Sequence, residues 1–276
     1  MIDLLPIVIP GCAAALAAIL VTMAIERLGG KLGGILGTLP LTVVPASLGL
    51  FHVDPRADVF ATAMSAIPLG MLLNVAFLGV WRIWPIRAGD RPTALVETLG
   101  LSLGFWIAGA LLLVVVRESL TPNMTRDVLV GVVALVVTVF LGARACRNAP
   151  PSPKGNRRVG LRVLLLRGIG AGAAIACGVA LGRAGWMTAA GMASVFPAIF
   201  LTSMLATWMA QGKAVPIGAS GPMMLGSVAV SIYALACAFS MPWVGPLGGS
   251  ILGWIAGSVF GSLPAYLWLK NRTPAT

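Results

Sequence analysis

The sequence predicts an all-α polytopic membrane protein. It predicts about nine transmembrane helices, arranged as two inverted four-helix repeats joined by one linker helix. Three observations carry that prediction. Hydrophobic residues make up 58% of the 276 positions and charged residues 10%, against roughly 25% charged in soluble domains. Residues 99–109 read LGLSLGFWIAG and residues 247–257 read LGGSILGWIAG, identical at seven of eleven positions and sharing a tryptophan. Two apolar stretches, 27–51 and 183–208, each carry a proline near the middle, Pro40 and Pro197.

Taken in order, the first span covers residues 4–25 and ends at Glu26 and Arg27. Its start holds Asp3 and no Lys or Arg, so a retained span is expected rather than a signal peptide. The second span, 27–51, breaks at Pro40, because proline lacks a donor and clashes with the carbonyl four residues back. By the same rule Pro197 breaks the seventh span, 183–210. The carbonyls of Leu36 and Ala193 are therefore expected to lack helical partners. Small hydroxyl residues surround both prolines: Thr38 and Thr42 in one, Ser194, Thr202 and Ser203 in the other. His52, the single histidine, falls in a solvated link.

The third span, 59–80, contains Pro68 and Asn74, and the fourth, 95–116, opens with Glu97 at the positive end of the helix dipole. The fifth, 128–143, is short and uniformly apolar. Residues 144–167 form a basic connector containing APPSPKGN. The sixth, eighth and ninth spans cover 163–182, 214–239 and 244–269, with Arg167 snorkelling from the sixth. The organisation is then a first repeat at 1–117, a linker span and connector at 118–159, and a second repeat at 160–276.

The formal charge of +11 is explained by the links. Alternating them between two faces puts Arg56, Arg117, Arg126 and Arg183 on one side and the other fifteen of the nineteen basic residues on the opposite side. The basic face is expected to be cytoplasmic, with the amino terminus outside and the carboxyl terminus inside. No nucleic-acid partner is needed to account for the charge. Cys12, Cys146, Cys177 and Cys237 form no CxxC pair and read as small buried hydrophobes. The chain holds no HExxH, Walker loop or Ser-His-Asp set. No enzyme activity, cofactor or metal is expected. The expected partners are the lipid bilayer and a small-molecule or ion substrate, with a homodimer an allowed assembly.

Two register relations extend the repeat. The spacing from Pro40 to Pro197 also carries Gly34 to Gly191, and Pro68 meets Pro222 after a three-residue gap. Four spans return the chain to its starting face and the fifth crosses over, so the second copy begins on the opposite face. The stretch AGMASVFPAIFLTSM at 190–204 resembles small bacterial membrane families such as the GlpM-like proteins. That resemblance implies a bacterial inner-membrane protein. The repeat plan is similar to that of the drug/metabolite transporter superfamily, from which this chain departs in having nine spans rather than ten.

Paired broken helices at mid-membrane depth point to a transporter binding site. The residues expected to bind substrate are Thr38, Pro40, Thr42, Asn74, Ser194, Pro197, Thr202, Ser203 and Arg183, with Glu26 as a candidate coupling carboxylate. Arg183 stands out because it lies on the face poor in basic residues. The expected function is a secondary transporter or exporter of a small polar solute, anionic solutes included. A lipid or lipid-linked intermediate flippase and a non-transporting assembly protein are the alternatives.

Overall fold

The computed structural model describes residues 4–28, 39–147 and 160–271, with residues 25–28 as backbone alone. Thr38, Leu36 and Lys31, and the side chain of Glu26, lie outside the described residues. The described chain is helical throughout. The helices are α1 (Leu5–Leu28), α2 (Val44–Val53), α3 (Ala57–Ala88), α4 (Ala94–Glu118), α5 (Met124–Arg147), α6 (Leu161–Arg183), α7 (Met187–Ala193), α8 (Ala198–Gln211), α9 (Ala214–Gly226), α10 (Val228–Ala256) and α11 (Leu263–Lys270). A π-helical turn, Gly257–Ser262, joins the last two. Among the described residues, seven helical stretches are long and apolar enough to cross a bilayer. The chain is a multi-pass membrane protein.

The last of these stretches, Ala214–Lys270, is 57 residues long. At about 1.5 Å per residue it would extend far beyond a core of about 30 Å. It does not run straight. Gly245 has φ 80° and ψ 169°, outside any helix, and there the chain reverses. The two arms pack back to back through glycines. A Cβ on Gly249 would lie 2.5 Å from the Met241 backbone, and one on Gly261 would lie 2.5 Å from the Ala229 Cα. Backbones this close require residues without side chains.

The same device joins α1 to α6, which pack antiparallel. A Cβ on Gly11 would sit 3.0 Å from the Gly172 carbonyl oxygen, and one on Gly172 would sit 2.7 Å from that of Gly11. One helical turn away, Gly168 meets the Ala15 carbonyl oxygen at 3.3 Å from its would-be Cβ. The central helix is α3. Phe60, Ala61, Ala63, Met64, Ile67 and Trp81 on it are fully buried. Its contact with α7 is backbone against backbone, at Ala63 and Gly191.

The third helix runs on to Ala88, past the expected end of its span at residue 80, and Gly89, at φ 67°, ends it. Trp81 lies just beyond that expected end. It is fully buried, donates to Ser102 Oγ at 3.1 Å and meets the Trp208 ring edge-on at 5.9 Å. His52 lies in the last turn of α2 rather than in a link, and is exposed. Cys237 alone of the four cysteines is buried, and Cys12 and Cys177 face outward.

Helix ends collect at two ends of the bundle, each tied by polar contacts. At one end Lys213, between α8 and α9, donates to the Gly89 carbonyl at 2.7 Å and pairs with Asp90, between α3 and α4. The ammonium holds the Asp90 carboxyl below its ordinary range. At the other end Glu118 accepts from the Thr188 and Ala189 amides at 2.9 and 3.3 Å, capping the start of α7. There, too, Asp127 is 1% exposed and pairs with Arg117 at 3.1 Å and Arg126 at 2.8 Å, while Thr62 donates to it at 2.7 Å. This cluster lets α5 begin at Met124, earlier than its apolar run.

The α1–α6 contact makes a direct test. Gly172→Val should lower the unfolding midpoint in detergent, by about 1–3 kcal/mol of stability, as overpacking does. Gly100→Ala, where an added Cβ meets nothing within 4 Å, should leave it unchanged. Intrinsic fluorescence during heating reads both.

Candidate functional site

Two breaks interrupt the bundle. The first covers residues 39–43, where Leu41 N–H donates to the Leu39 carbonyl at 2.9 Å before Pro45 opens α2. The second covers residues 194–197, between α7 and α8. Here the expectation for Ala193 fails. Its carbonyl accepts from the Phe196 N–H at 3.1 Å, because the chain tightens to a three-residue turn before Pro197. The Val195 carbonyl has no backbone donor and needs an outside partner. Asn74, from α3, supplies it: the side-chain amide donates to the Val195 oxygen at 2.9 Å.

That bond fixes how the amide is turned. A carbonyl accepts only from nitrogen, so the nitrogen faces Val195 and the oxygen faces away. Asn74 is 1% exposed, and its Oδ1 is buried without a hydrogen-bond partner. It lies on the wall of a cavity of about 510 Å³. Ligand sites commonly measure about 300–1,000 Å³. The cavity runs between α1, α3, α6, α8 and α9, and both breaks contribute to its wall.

Of the expected site residues, Thr42, Asn74, Ser194, Pro197 and Ser203 line this cavity together. Pro40 is buried outside it, its ring 3.1 Å from where a Cβ on Gly257 would be. Thr202 turns its hydroxyl to the Ala198 carbonyl at 2.8 Å and does not reach the wall. Arg183 is exposed at the far end of α6 and is not part of the lining. Arg167 does not snorkel away from the bundle; it lines the cavity, as do Thr22 and Thr207. Sequence reasoning missed all three. The available signal was the expected repeat, which pairs α1, carrying Thr22, with α6, carrying Arg167; Thr207 on α8 had none.

Four of the lining hydroxyls present oxygen rather than hydrogen. Thr22 donates to the Ala18 carbonyl, Ser194 to Gly191, Ser203 to Ile199 and Thr207 to Ser203, at 2.6–2.8 Å. Their protons are engaged and lone pairs remain. Donors come from elsewhere. The start of α8 has no side-chain cap, and Ile199 and Phe200 in its first turn line the cavity. First-turn amides have no partner within the helix. Apolar side chains, among them Met71, Ile175, Phe196 and Val230, form the rest of the wall. Phe196 is held by Trp106, edge-on at 5.1 Å.

No family model matches the chain, and neither a curated protein nor a solved structure matches it significantly.

Asn74 serves the break and the cavity at once. Asn74→Leu should cost about 1–3 kcal/mol of stability, because the Val195 carbonyl loses its donor. Ser203→Ala should change stability by no more than about 0.5 kcal/mol, since its hydroxyl only returns to its own helix. Thermal unfolding of the two variants in one detergent checks the contrast.

Proposed function

We propose that the protein is a secondary transporter or exporter of a small polar solute, and that the solute binds in the cavity between the two breaks. The observation that carries this reading is the convergence of both proline breaks on one cavity, joined there by Asn74 from the central helix. Irregular backbone at membrane depth persists where it lines a cavity or is met by protein, and transporter sites are built this way.

The inverted repeat belongs to the same proposal. The spacing that carries Pro40 to Pro197 also carries Gly11 to Gly168 and Ala15 to Gly172. A two-fold axis with that register demands reciprocity: if Gly11 touches Gly172, then Ala15 must touch Gly168. Both contacts are present. The reversal at Gly245 supports counting nine crossings, with α5 as the linker. The uneven distribution of basic residues between the two ends supports a cytoplasmic carboxyl terminus.

The same register gives the cavity a closed counterpart. It carries Pro10 to Arg167, Ala14 to Ala171, Val179 back to Thr22, and Leu50 to Thr207. Arg167, Ala171, Thr22 and Thr207 border open space. Their counterparts are packed. Gly49 would place a Cβ 2.8 Å from Val179 Cγ2 and 3.0 Å from Pro10 Cγ, and Ala14, Leu50 and Val179 are at most 1% exposed. One half is open while its mate is shut, which is the asymmetry an alternating-access carrier needs.

Uptake into proteoliposomes, against a panel of labelled small solutes, tests the transport reading. Saturable uptake of one solute class is expected; leak-level flux for every class would contradict it. The closed side adds a sharper arm. In a background lacking the four native cysteines, Gly49→Cys with Val179→Cys should form a disulfide. Oxidation should stop transport, and reduction should restore it. Full transport by the oxidised protein would show that this contact never opens.

A further inference from the structure

We propose that the outward face of α5 is a binding site for an anionic phospholipid. Its phosphate lies between Arg144 and Arg147, and an acyl chain lies along Phe140, Val136 and Val133. The site is separate from the cavity and does not rest on the transport reading.

The face is defined by spacing. Leu129, Val133, Val136 and Phe140 are each more than half exposed. Arg144 and Arg147 continue the same steps of three and four residues and are exposed as well. Such steps place all six on one side of a helix. Gly131, Ala134, Thr138 and Gly142 are buried on the other side. The outward stripe is therefore apolar along its length and cationic only in its last turn. Arg144 follows Val133 by eleven residues, about 16 Å along the helix. That is the depth of one leaflet in a core about 30 Å thick.

The chain does not neutralise this arginine pair. Asp127 is the last acid in the sequence: residues 128–276 hold eleven of the nineteen basic residues and no Asp or Glu. The connector after Arg147 can therefore only add positive charge. The earlier acids are engaged elsewhere. Asp54 pairs with Arg56, Asp90 with Lys213, and Asp127 with Arg117 and Arg126. Glu97 accepts from Thr93 and Trp84, and Glu118 caps α7. Asp58 opens α3 beside Thr62, which bonds to Asp127. Asp127 precedes Arg144 by seventeen residues, about 25 Å along the helix. Asp3 and Glu26 stand at the two ends of α1, which packs on α6 and α2, whereas α5 packs on α3, α9 and α10.

The shape matches a lipid headgroup. A cleft of about 170 Å³ is lined by Phe140, Ala143, Arg144 and Arg147. It joins the last apolar step of the stripe to both guanidiniums. A guanidinium presents a fork of donors that fits phosphate oxygens in pairs. Basic clefts at the ends of membrane helices take anionic headgroups in this way. A second copy of the chain is the competing occupant. Two copies share one orientation in the membrane, so a two-fold contact here would set each arginine pair against its own copy at the same depth. Like charges oppose that contact, and a lipid satisfies both the apolar and the cationic part.

The test uses the full chain in nanodiscs made of equal parts phosphatidylglycerol and phosphatidylcholine. The protein is then extracted in mild detergent, and the lipids it retains are counted by native mass spectrometry. Wild type should retain phosphatidylglycerol over phosphatidylcholine by about tenfold. Arg144→Gln with Arg147→Gln should bring the ratio close to parity. Arg87→Gln with Arg91→Gln removes two other exposed charges and should leave the ratio unchanged. A phosphatidylglycerol with a diazirine midway along its acyl chain should label residues 133–140 of wild type.

Equal retention of the two lipids by wild type, an equal loss in both double variants, or diazirine labelling that misses α5 would each overturn the inference. If the Arg144 and Arg147 double variant fails to fold, the labelling of wild type still decides it. Any of these failures leaves the transport reading standing.

Discussion

The hydrogen bond from Asn74 to the Val195 carbonyl is the constraint on which the middle of this molecule turns. In hydrocarbon no water is available to an opened backbone, and each unsatisfied group costs several kcal/mol. Pro197 opens the chain between α7 and α8, the tightened turn re-pairs Ala193, and the Val195 carbonyl is left without a backbone donor. A side chain from the central helix closes the account. Because that side chain is an amide, meeting one carbonyl leaves an acceptor pointing elsewhere. The repair of the fold therefore creates a polar feature in the cavity wall.

Glycine makes the rest of the frame. Between apolar helices in lipid there is no hydrophobic drive, so association depends on close packing. The α1–α6 contact and the reversed arms about Gly245 both bring backbone against backbone. The cavity between the breaks lies among these tight seams. The polar locks lie at the two ends: Lys213 with Asp90 at one, Arg117 with Asp127 and Glu118 on α7 at the other.

Much of this was legible in the sequence. Composition and the long unbroken apolar runs give helices in a membrane, since the strands of a barrel, the other solution, alternate apolar with polar residues. Pro197 marks its break to within a few residues, because proline acts through its own ring. Thr42, Ser194 and Ser203 were legible as neighbours of the prolines. Asn74 was legible as a buried amide, but its partner lies 121 residues away and no local pattern names it. Arg167 was misread because a basic residue near a span end usually snorkels, and only the packing of α6 turns it inward. Arg117 and Asp127 read as link residues, since each sits at the edge of an apolar run; their pairing is a tertiary fact.

The central claim is that the space between the two breaks is a water-filled solute site open at one end. Single cysteines at Thr42, Ser194 and Ser203, placed in a background without native cysteines, test it most directly. They are treated in sealed, oriented vesicles with a charged, membrane-impermeant thiol reagent. The account predicts that all three are labelled from the basic side alone, while cysteines at Ala14 and Ala46, in the packed counterpart, stay unlabelled. Failure of the reagent to reach any of the three from either side, in folded protein, would contradict it.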